Sequence, residues 1–315
     1  MSAEPLRLGT RRSPMAIVQA QLVADAVTRL TGREVELVGI TSQGDVSSQP
    51  VTQIGGTGVF VSALRTAVLA GEVDFAVHSL KDLPTEAAEG ITLAAVPARD
   101  DPRDALVATG GSKLADLPSG ARIGTGSPRR AAQLLLLRSD LRPVPVRGNA
   151  GTRLAKMESG DLEALVLGLA GLSRIGRLDA VTQIFEPDEM LPCAGQGALA
   201  VECSSSREDL VALLACVDDP PSRAATTAER TMLGALQAGC AAPVGAYAAG
   251  TDVLRLRGMV VAADGGMALR SSASGSPAMA ETIGHQVADE LLRRGAGRYM
   301  AVPDRGHISS GDDDR

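Results

Sequence analysis

The chain has 315 residues, 44% of them hydrophobic and 22% charged, and a formal net charge of −6. That length predicts two or three domains with several buried cores. It has no Trp, two Tyr and three Phe, so the cores must be aliphatic, and both base stacking and broad phosphate-backbone binding are disfavoured. No apolar run approaches the roughly 20 residues that a membrane span needs, and residues 1–12 hold no secretory-type apolar segment. Cysteines stand at 193, 203, 216 and 240. Their spacing gives neither a CxxC pair nor a zinc pattern, so free thiols and a reducing cytoplasm are expected. Three histidines leave no evident metal site, and none is expected.

Leu6 to Thr10 reads as a strand. Ser13 is a good N-cap, Pro14 suits the first helical position, and Gly32 closes the helix between them. Val35 to Ile40 is a second strand, and this order predicts a parallel pair. Residues 41–58 are polar and glycine-rich, longer than most connections, and read as a lid or binding loop. Val59 to Ala70 is an apolar helix. Phe75-Ala76-Val77 opens a strand buried on both faces. Pro84 disfavours helix at Leu83, so Lys81 and Asp82 are expected on an extended loop. Ligands of open α/β sheets bind beyond such strand ends. Ile91 to Val96 is a further strand, and residues 100–104 (Asp-Asp-Pro-Arg-Asp) read as a hinge.

A second α/β unit follows. Its strands are expected at 105–108, 122–126, 144–146 and 164–167. One helix, capped by Ser127 with Pro128 at its first position, reaches Leu137, and another spans 151–157. Gly195-Gln196-Gly197 marks a crossing back to a strand at 198–202, followed by helix at 207–217. Pro220-Pro221 reads as a linker. Beyond it come a helix at 223–237, three antiparallel strands at 244–248, 254–261 and 267–272 with a hairpin turn at 263–266, and a last helix at 279–294. Residues 304–315 are expected to be disordered.

Charge is distributed unevenly. Residues 122–177 hold ten Lys and Arg against four acids, a local +6, while the remainder sums to −12. Arg129 and Arg130 fall in a helix's first turn, where a cation costs roughly 0.3–1 kcal/mol against the macrodipole. Two arginines there imply an anion, met jointly by the helix end, Ser127 and the guanidiniums. Arg147 and Arg153 repeat the arrangement at the next strand–helix junction, and Arg11 with Ser13 at the first. Arg grips carboxylates in two-pronged fashion better than Lys does. A solvated basic face is the plainer alternative, and its recurrence at three junctions weighs against it.

The motifs AVHSLKDLP (76–84), DDPRD (100–104), GTGSPRR (124–130) and RGNAGTRL (147–154) resemble, as a set and in order, those of the porphobilinogen deaminase family. Thr10-Arg11, Ser13-Pro14, Gly195-Gln196-Gly197 and Gly239-Cys240 extend the resemblance over nearly the whole chain. It implies an α/β fold: two periplasmic-binding-protein-like α/β domains around a cleft plus a small C-terminal α+β domain. The expected boundaries are 1–98 with 198–217, then 99–197, then 218–303. It also implies a transferase that condenses four porphobilinogen molecules into hydroxymethylbilane, releasing ammonia, on a dipyrromethane primer held by a thioether to Cys240. By the same resemblance Lys81, Ser127, Arg129, Arg130 and Arg174 hold the primer, and Arg11, Ser13, Arg147 and Arg153 the incoming unit.

The residues agree with that chemistry. Each added unit brings an acetate and a propionate, which an Arg-rich cleft can hold. Loss of ammonia leaves a pyrrolic cation, and a preorganised carboxylate stabilises such a charge. Asp82 is the candidate, for this and for proton transfer. Cys193, Cys203 and Cys216 read as small buried hydrophobes, and His78 as structural. Two departures stand out: Gln53 and Thr57 where some members carry lysines, and Cys193 at a commonly aliphatic position. The competing readings are a solute-binding module without chemistry, and a transferase using Cys240 as a turnover nucleophile. The chain shows no evident association stripe, so a monomer without nucleic-acid or membrane partners is expected.

Overall fold

The computed structural model describes residues 4–41, 58–238 and 242–300. Gln53 and Thr57 of the glycine-rich stretch, Cys240, and the tail from 304 lie outside the described residues. The N-terminal unit contains β1 (Leu6–Arg11), α1 (Pro14–Thr31), β2 (Val35–Ile40), α2 (Gly58–Leu69), β3 (Phe75–Ser79) and β4 (Ile91–Ala95). Helix α1 starts and stops where its sequence requires. The Ser13 hydroxyl accepts from the Ala16 N–H at 3.3 Å, Pro14 fills the first turn, and Gly32 turns left-handed at φ 69°.

The chain then builds β5 (Asp104–Ala108), β6 (Arg122–Gly124), α3 (Pro128–Leu137), β7 (Arg142–Val144), α4 (Ala150–Glu158), β8 (Ala164–Gly168), α5 (Leu169–Arg174) and β9 (Gln183–Ile184). It returns through β10 (Leu199–Ser204) and α6 (Glu208–Leu214). The third unit holds α7 (Pro220–Ala235), β11 (Val244–Ala249), β12 (Leu254–Val261), β13 (Ala268–Gly275), α8 (Ala280–Arg293) and α9 (Gly297–Met300).

These elements make two α/β domains and a small C-terminal domain. The first sheet runs β2-β1-β3-β10-β4 and the second β7-β6-β8-β5-β9. The two share one plan. Three parallel strands are followed by one antiparallel strand, β10 in the first sheet and β5 in the second, and then an edge strand. Each antiparallel strand is the one the chain enters after crossing from the other sheet. Strand β3 is buried on both faces: Phe75 and Val77 pack with α1 residues such as Val23 and Val27, and Ala76 with Leu64 of α2. The third sheet, β11-β12-β13, is antiparallel, and its inner face packs on Met232 of α7 and Val287 and Leu291 of α8.

Four local expectations need correction. Pro220 and Pro221 begin α7 rather than a linker: Asp219 caps the helix by accepting from the Ser222 N–H at 3.0 Å, and proline loses nothing in a first turn. The strand expected at 144–146 is Arg142–Val144, an edge strand, where Pro143 is tolerated because no neighbour needs its N–H. Helix α5 was not anticipated, because six residues are too few to show helical periodicity. Lys81 and Asp82 do not lie on an extended loop but in a single 3₁₀ turn, Leu80–Asp82.

The two crossings run side by side. Arg99 donates from Nε to the Gln196 carbonyl at 2.7 Å, and the Asp100 N–H to Gly197 O at 3.4 Å. Gly197 (φ +87°) permits this approach, since a Cβ there would stand 2.4 Å from the Asp100 carbonyl oxygen. Glu229 of α7 ties the third domain to the crossings. Fully buried, it takes both Nη groups of Arg99 at 2.8 and 3.0 Å and the N–H groups of Gly195 and Ala248, each at 2.8 Å. Glu229→Ala leaves Arg99 charged, buried and unpaired, and should cost about 3–5 kcal/mol; an unchanged urea-unfolding curve would contradict this account.

Candidate active site

The 3₁₀ turn after β3 presents the central carboxylate. The Leu80 N–H donates to Ala198 O at 3.0 Å, which pins the strand end to the crossing-back segment, and the Leu83 N–H closes the turn on Leu80 O at 3.2 Å. Leu83 is extended (φ −75°, ψ 134°), as its position before Pro84 dictates. Leu80 is thereby buried, Lys81 exposed and Asp82 half-buried. Neither Asp82 oxygen has a hydrogen-bond or ion-pair partner among the described residues.

Two cavities meet at this turn, in the cleft between the α/β domains. One, about 210 Å³, is lined by Lys81, Asp82, Arg130, Arg153, Arg174 and Gln196 among others. The other, about 670 Å³, is lined by Arg11, Ser13, His78, Asp82, Arg147 and Arg153 among others. Asp82 and Arg153 border both, together with Met15, Gln19, Ser79, Gly148 and Asn149. Of the sequence-selected cations, Lys81, Arg130 and Arg174 line only the smaller cavity, Arg11 and Arg147 only the larger, and Arg153 both. Ser127 and Arg129 line neither cavity.

The two arginines in the first turn of α3 do meet an anion, but it is the chain's own. Arg129 Nη1 lies 2.8 Å from Asp104 Oδ2, and Arg130 donates from Nε to Asp104 Oδ1 at 2.9 Å. Gln196 adds Nε2 to the same Oδ1 at 2.8 Å and accepts from Arg130 Nη2 at 3.2 Å. Asp104 is fully buried. Burial alone would raise its pKa, but Arg129 and then Arg130 outweigh that and hold the carboxyl down to about 2. Arg129 also donates to Leu191 O at 2.6 Å, so its charge is spent internally. Ser127 caps the helix, its hydroxyl accepting from the Arg130 N–H at 3.4 Å. The expectation that all three converge directly on an external anion is corrected to this extent: of the three, Arg130 alone reaches the cavity wall.

Asp104 was missed as a partner because it looked like the end of a hinge. The available signal was an acid opening the apolar run 104–108, which forces a charge into a buried strand. Glu202 repeats the pattern in the first sheet. It accepts from Arg65 at 2.9 and 2.7 Å and lies 3.3 Å from His78 Nε2. Burial pushes its pKa up, but His78 and Arg65 prevail and bring it to about 2. His78 is structural in this respect, although it also borders the larger cavity.

The remaining arginines differ. Arg174 donates to Asp100 at 2.8 Å and to Gly197 O at 2.7 Å; burial lowers its pKa more than Asp100 raises it. Arg153 donates to Gly148 O at 2.8 Å, yet no carboxylate among the described residues pairs with it or with Arg147. Burial, and then the charge of Arg130, push the Arg153 guanidinium downward. It remains a cation, and a half-buried cation without a carboxylate partner at a cavity wall suits an anionic ligand.

Comparison with known proteins bears on this geometry. Residues 6–212 match the family profile described as porphobilinogen deaminase, dipyromethane cofactor binding domain, and residues 224–293 match that of porphobilinogen deaminase, C-terminal domain. The chain belongs to the porphobilinogen deaminase family. A porphobilinogen deaminase of Thermobifida fusca is 57% identical, covering 96% of this chain and 97% of that protein. Porphobilinogen deaminase 1 of Streptomyces coelicolor is 52% identical, covering 95% and 98%, and the Mycobacterium tuberculosis protein of this name is 50% identical, covering 94% and 98%. Among solved structures, the methionine binding protein MetQ is similar at a TM-score of 0.43 and 12% identity over 67% of this chain and 88% of that one, too distant to inform the chemistry.

A porphobilinogen deaminase cofactor of dipyrromethane type suits the donor set here. Its acid side chains need cations, and Lys81, Arg130 and Arg174 edge the smaller cavity; its pyrrole N–H groups need an acceptor, and both Asp82 oxygens lack a protein partner among the described residues. Of the other thiols, Cys203 is buried as expected, whereas Cys216 is exposed and Cys193 is half-buried with Sγ 3.5 Å from Gln196 Oε1. Among the described residues no group of three or more His, Cys, Asp or Glu could hold a metal ion, and no helix is long and apolar enough to cross a membrane.

Asp104→Asn should destabilise the fold by about 3–5 kcal/mol, since it strips the charge facing two buried guanidiniums. Asp104 is held below its unfolded value, so its contribution is complete above pH about 4 and fades as pH falls through about 2. The stability gap between wild type and variant should close over that window in acid-unfolding measurements.

Proposed function

We propose that the chain condenses four porphobilinogen molecules head to tail, releases ammonia at each step, and yields hydroxymethylbilane on final hydrolysis, as a transferase of tetrapyrrole (heme) biosynthesis. The observation that carries this reading is that Asp82 borders two cavities at once, one edged by Lys81, Arg130 and Arg174 and the other by Arg11, Ser13 and Arg147. In this reading the first group, with Ser127 and Arg129 acting behind Arg130, holds the dipyrromethane primer. The second, with Arg153, holds the incoming porphobilinogen.

The bound primer supplies a nucleophilic pyrrole carbon. The protein supplies everything else. Arginines grip the substrate's acetate and propionate and set its orientation before reaction. The bond from its aminomethyl carbon to nitrogen breaks, the electron pair leaving with protonated nitrogen as ammonia. The resulting cation on the substrate lies beside Asp82, whose carboxylate stabilises it. Asp82 then accepts the proton released as the new carbon–carbon bond forms. Cys240, which lies outside the described residues, is the proposed thioether anchor. The working domains are 1–98 with 198–217, 99–197, and 218–303, and the protein acts as a cytoplasmic monomer without nucleic-acid or membrane partners.

Purified protein given porphobilinogen should release ammonia and hydroxymethylbilane in the ratio four to one; binding without turnover would instead favour a solute-binding role. Asp82→Ala should cut turnover at least about 100-fold while intact mass still shows the primer. Cys240→Ser should lack the added mass and the colour with Ehrlich's reagent. Near-normal turnover by the first variant, or a retained adduct in the second, would undo the corresponding assignment.

A further inference from the structure

We propose that Arg230, on α7 of the C-terminal domain, is a positioning residue for Asp82; the inference rests on the reading of Asp82 given above. Arg230 grips the backbone of the turn. Its Nη1 donates to Leu80 O at 3.3 Å and Leu83 O at 3.0 Å, and its Nη2 to Pro84 O at 2.6 Å. The Leu80 carbonyl already takes the Leu83 N–H, a turn this short supplies no further internal donors, and a planar guanidinium can serve all three carbonyls at once.

Arg230 acts from outside the cleft. It borders a different cavity, about 370 Å³, shared with Leu80, Thr85, Glu86 and His285 and lined by neither Lys81 nor Asp82. It is therefore placed to act through the turn, not on a molecule in the cleft. The turn is gripped on a second side by the neighbouring residue of the same helix. Glu229 holds the Gly195 N–H at 2.8 Å, and Gly195 packs so close that a Cβ there would stand 3.2 Å from the Lys81 nitrogen. One turn further along α7, Gly234 sits on Thr85, where an added Cβ would lie at 3.4 Å. Asp82 has no hydrogen bond of its own among the described residues. The backbone of the turn alone fixes its place, and a shift of the turn is passed to it undiminished.

The test uses the primer-loaded enzyme and two variants. Arg230→Lys keeps the charge but replaces the fork by a compact head; Arg230→Met removes both. Expected are kcat losses of about 10-fold and about 100-fold respectively, with KM within about twofold and primer content by intact mass unchanged. Amide exchange in a peptide spanning residues 80–84 should quicken in both. Should Arg230→Met fail to fold, Arg230→Lys decides alone. Wild-type kcat with unchanged exchange in Arg230→Lys overturns the inference, as does a loss carried wholly by KM. If wild-type enzyme itself makes no bilane, the functional reading fails instead, and the exchange result still reports whether Arg230 holds the turn.

Discussion

A carboxylate without solvent, faced by two guanidiniums, is the constraint on which the cleft is built. Asp104 opens β5, the strand entered by the first crossing, while Arg129 and Arg130 begin α3, and Gln196 lies in the crossing back. One buried acid thus joins three segments distant in sequence. The arrangement also resolves an electrostatic conflict. Cations at a helix N-terminus oppose the macrodipole, and a charge buried alone costs several kcal/mol. Each problem is offset by the other group, and Arg130 is held at the cavity wall by Asp104, Val166 and Gln196.

The same economy recurs. Asp104, Glu202 and Glu229 are buried acids, and each is satisfied by arginine: Arg129 and Arg130, Arg65, and Arg99. Each sits on an element that joins parts of the molecule, β5 and β10 at the crossings and α7 between domains. Arginines with such partners hold the fold, and of them Arg130 also borders the smaller cavity. Arg147 and Arg153 have no such partner among the described residues, and both border the larger cavity. Arg147 and Arg153 thus differ from Arg130 and Arg174, which border the smaller cavity while paired with Asp104 and Asp100.

Much of the local structure was legible because its causes are local. Ser13 with Pro14, Ser127 with Pro128, and Gly32 announce helix ends by chemistry that acts within a few residues. The double-sided burial of β3 was readable from Phe75-Ala76-Val77 for the same reason. What escaped depends on partners far away in the chain. Nothing near Asp104 reveals that Arg129 and Arg130 need it, so an internal anion was read as an external one. The 3₁₀ turn at Leu80–Asp82 is set by Ala198 and Arg230, over a hundred positions downstream, and no local propensity encodes it. The primer-side and substrate-side grouping of the cations came from resemblance; what the structure adds is that Lys81, Arg130 and Arg174 line one cavity and Arg11 and Arg147 another.

The insertion of β10 between β3 and β4 has a bearing on how the molecule is made. The first sheet is encoded in two pieces, residues up to 95 and residues 199–204, with the whole of the second sheet between them. As the polypeptide leaves the ribosome, β3 and β4 emerge without the strand that separates them, each with an open edge. An open edge invites mispairing. The later sheet, whose strands are consecutive in the chain, can close first, and the earlier one is completed only when the final third of the message has begun to be translated. In this protein the part synthesised first is among the last to be sealed.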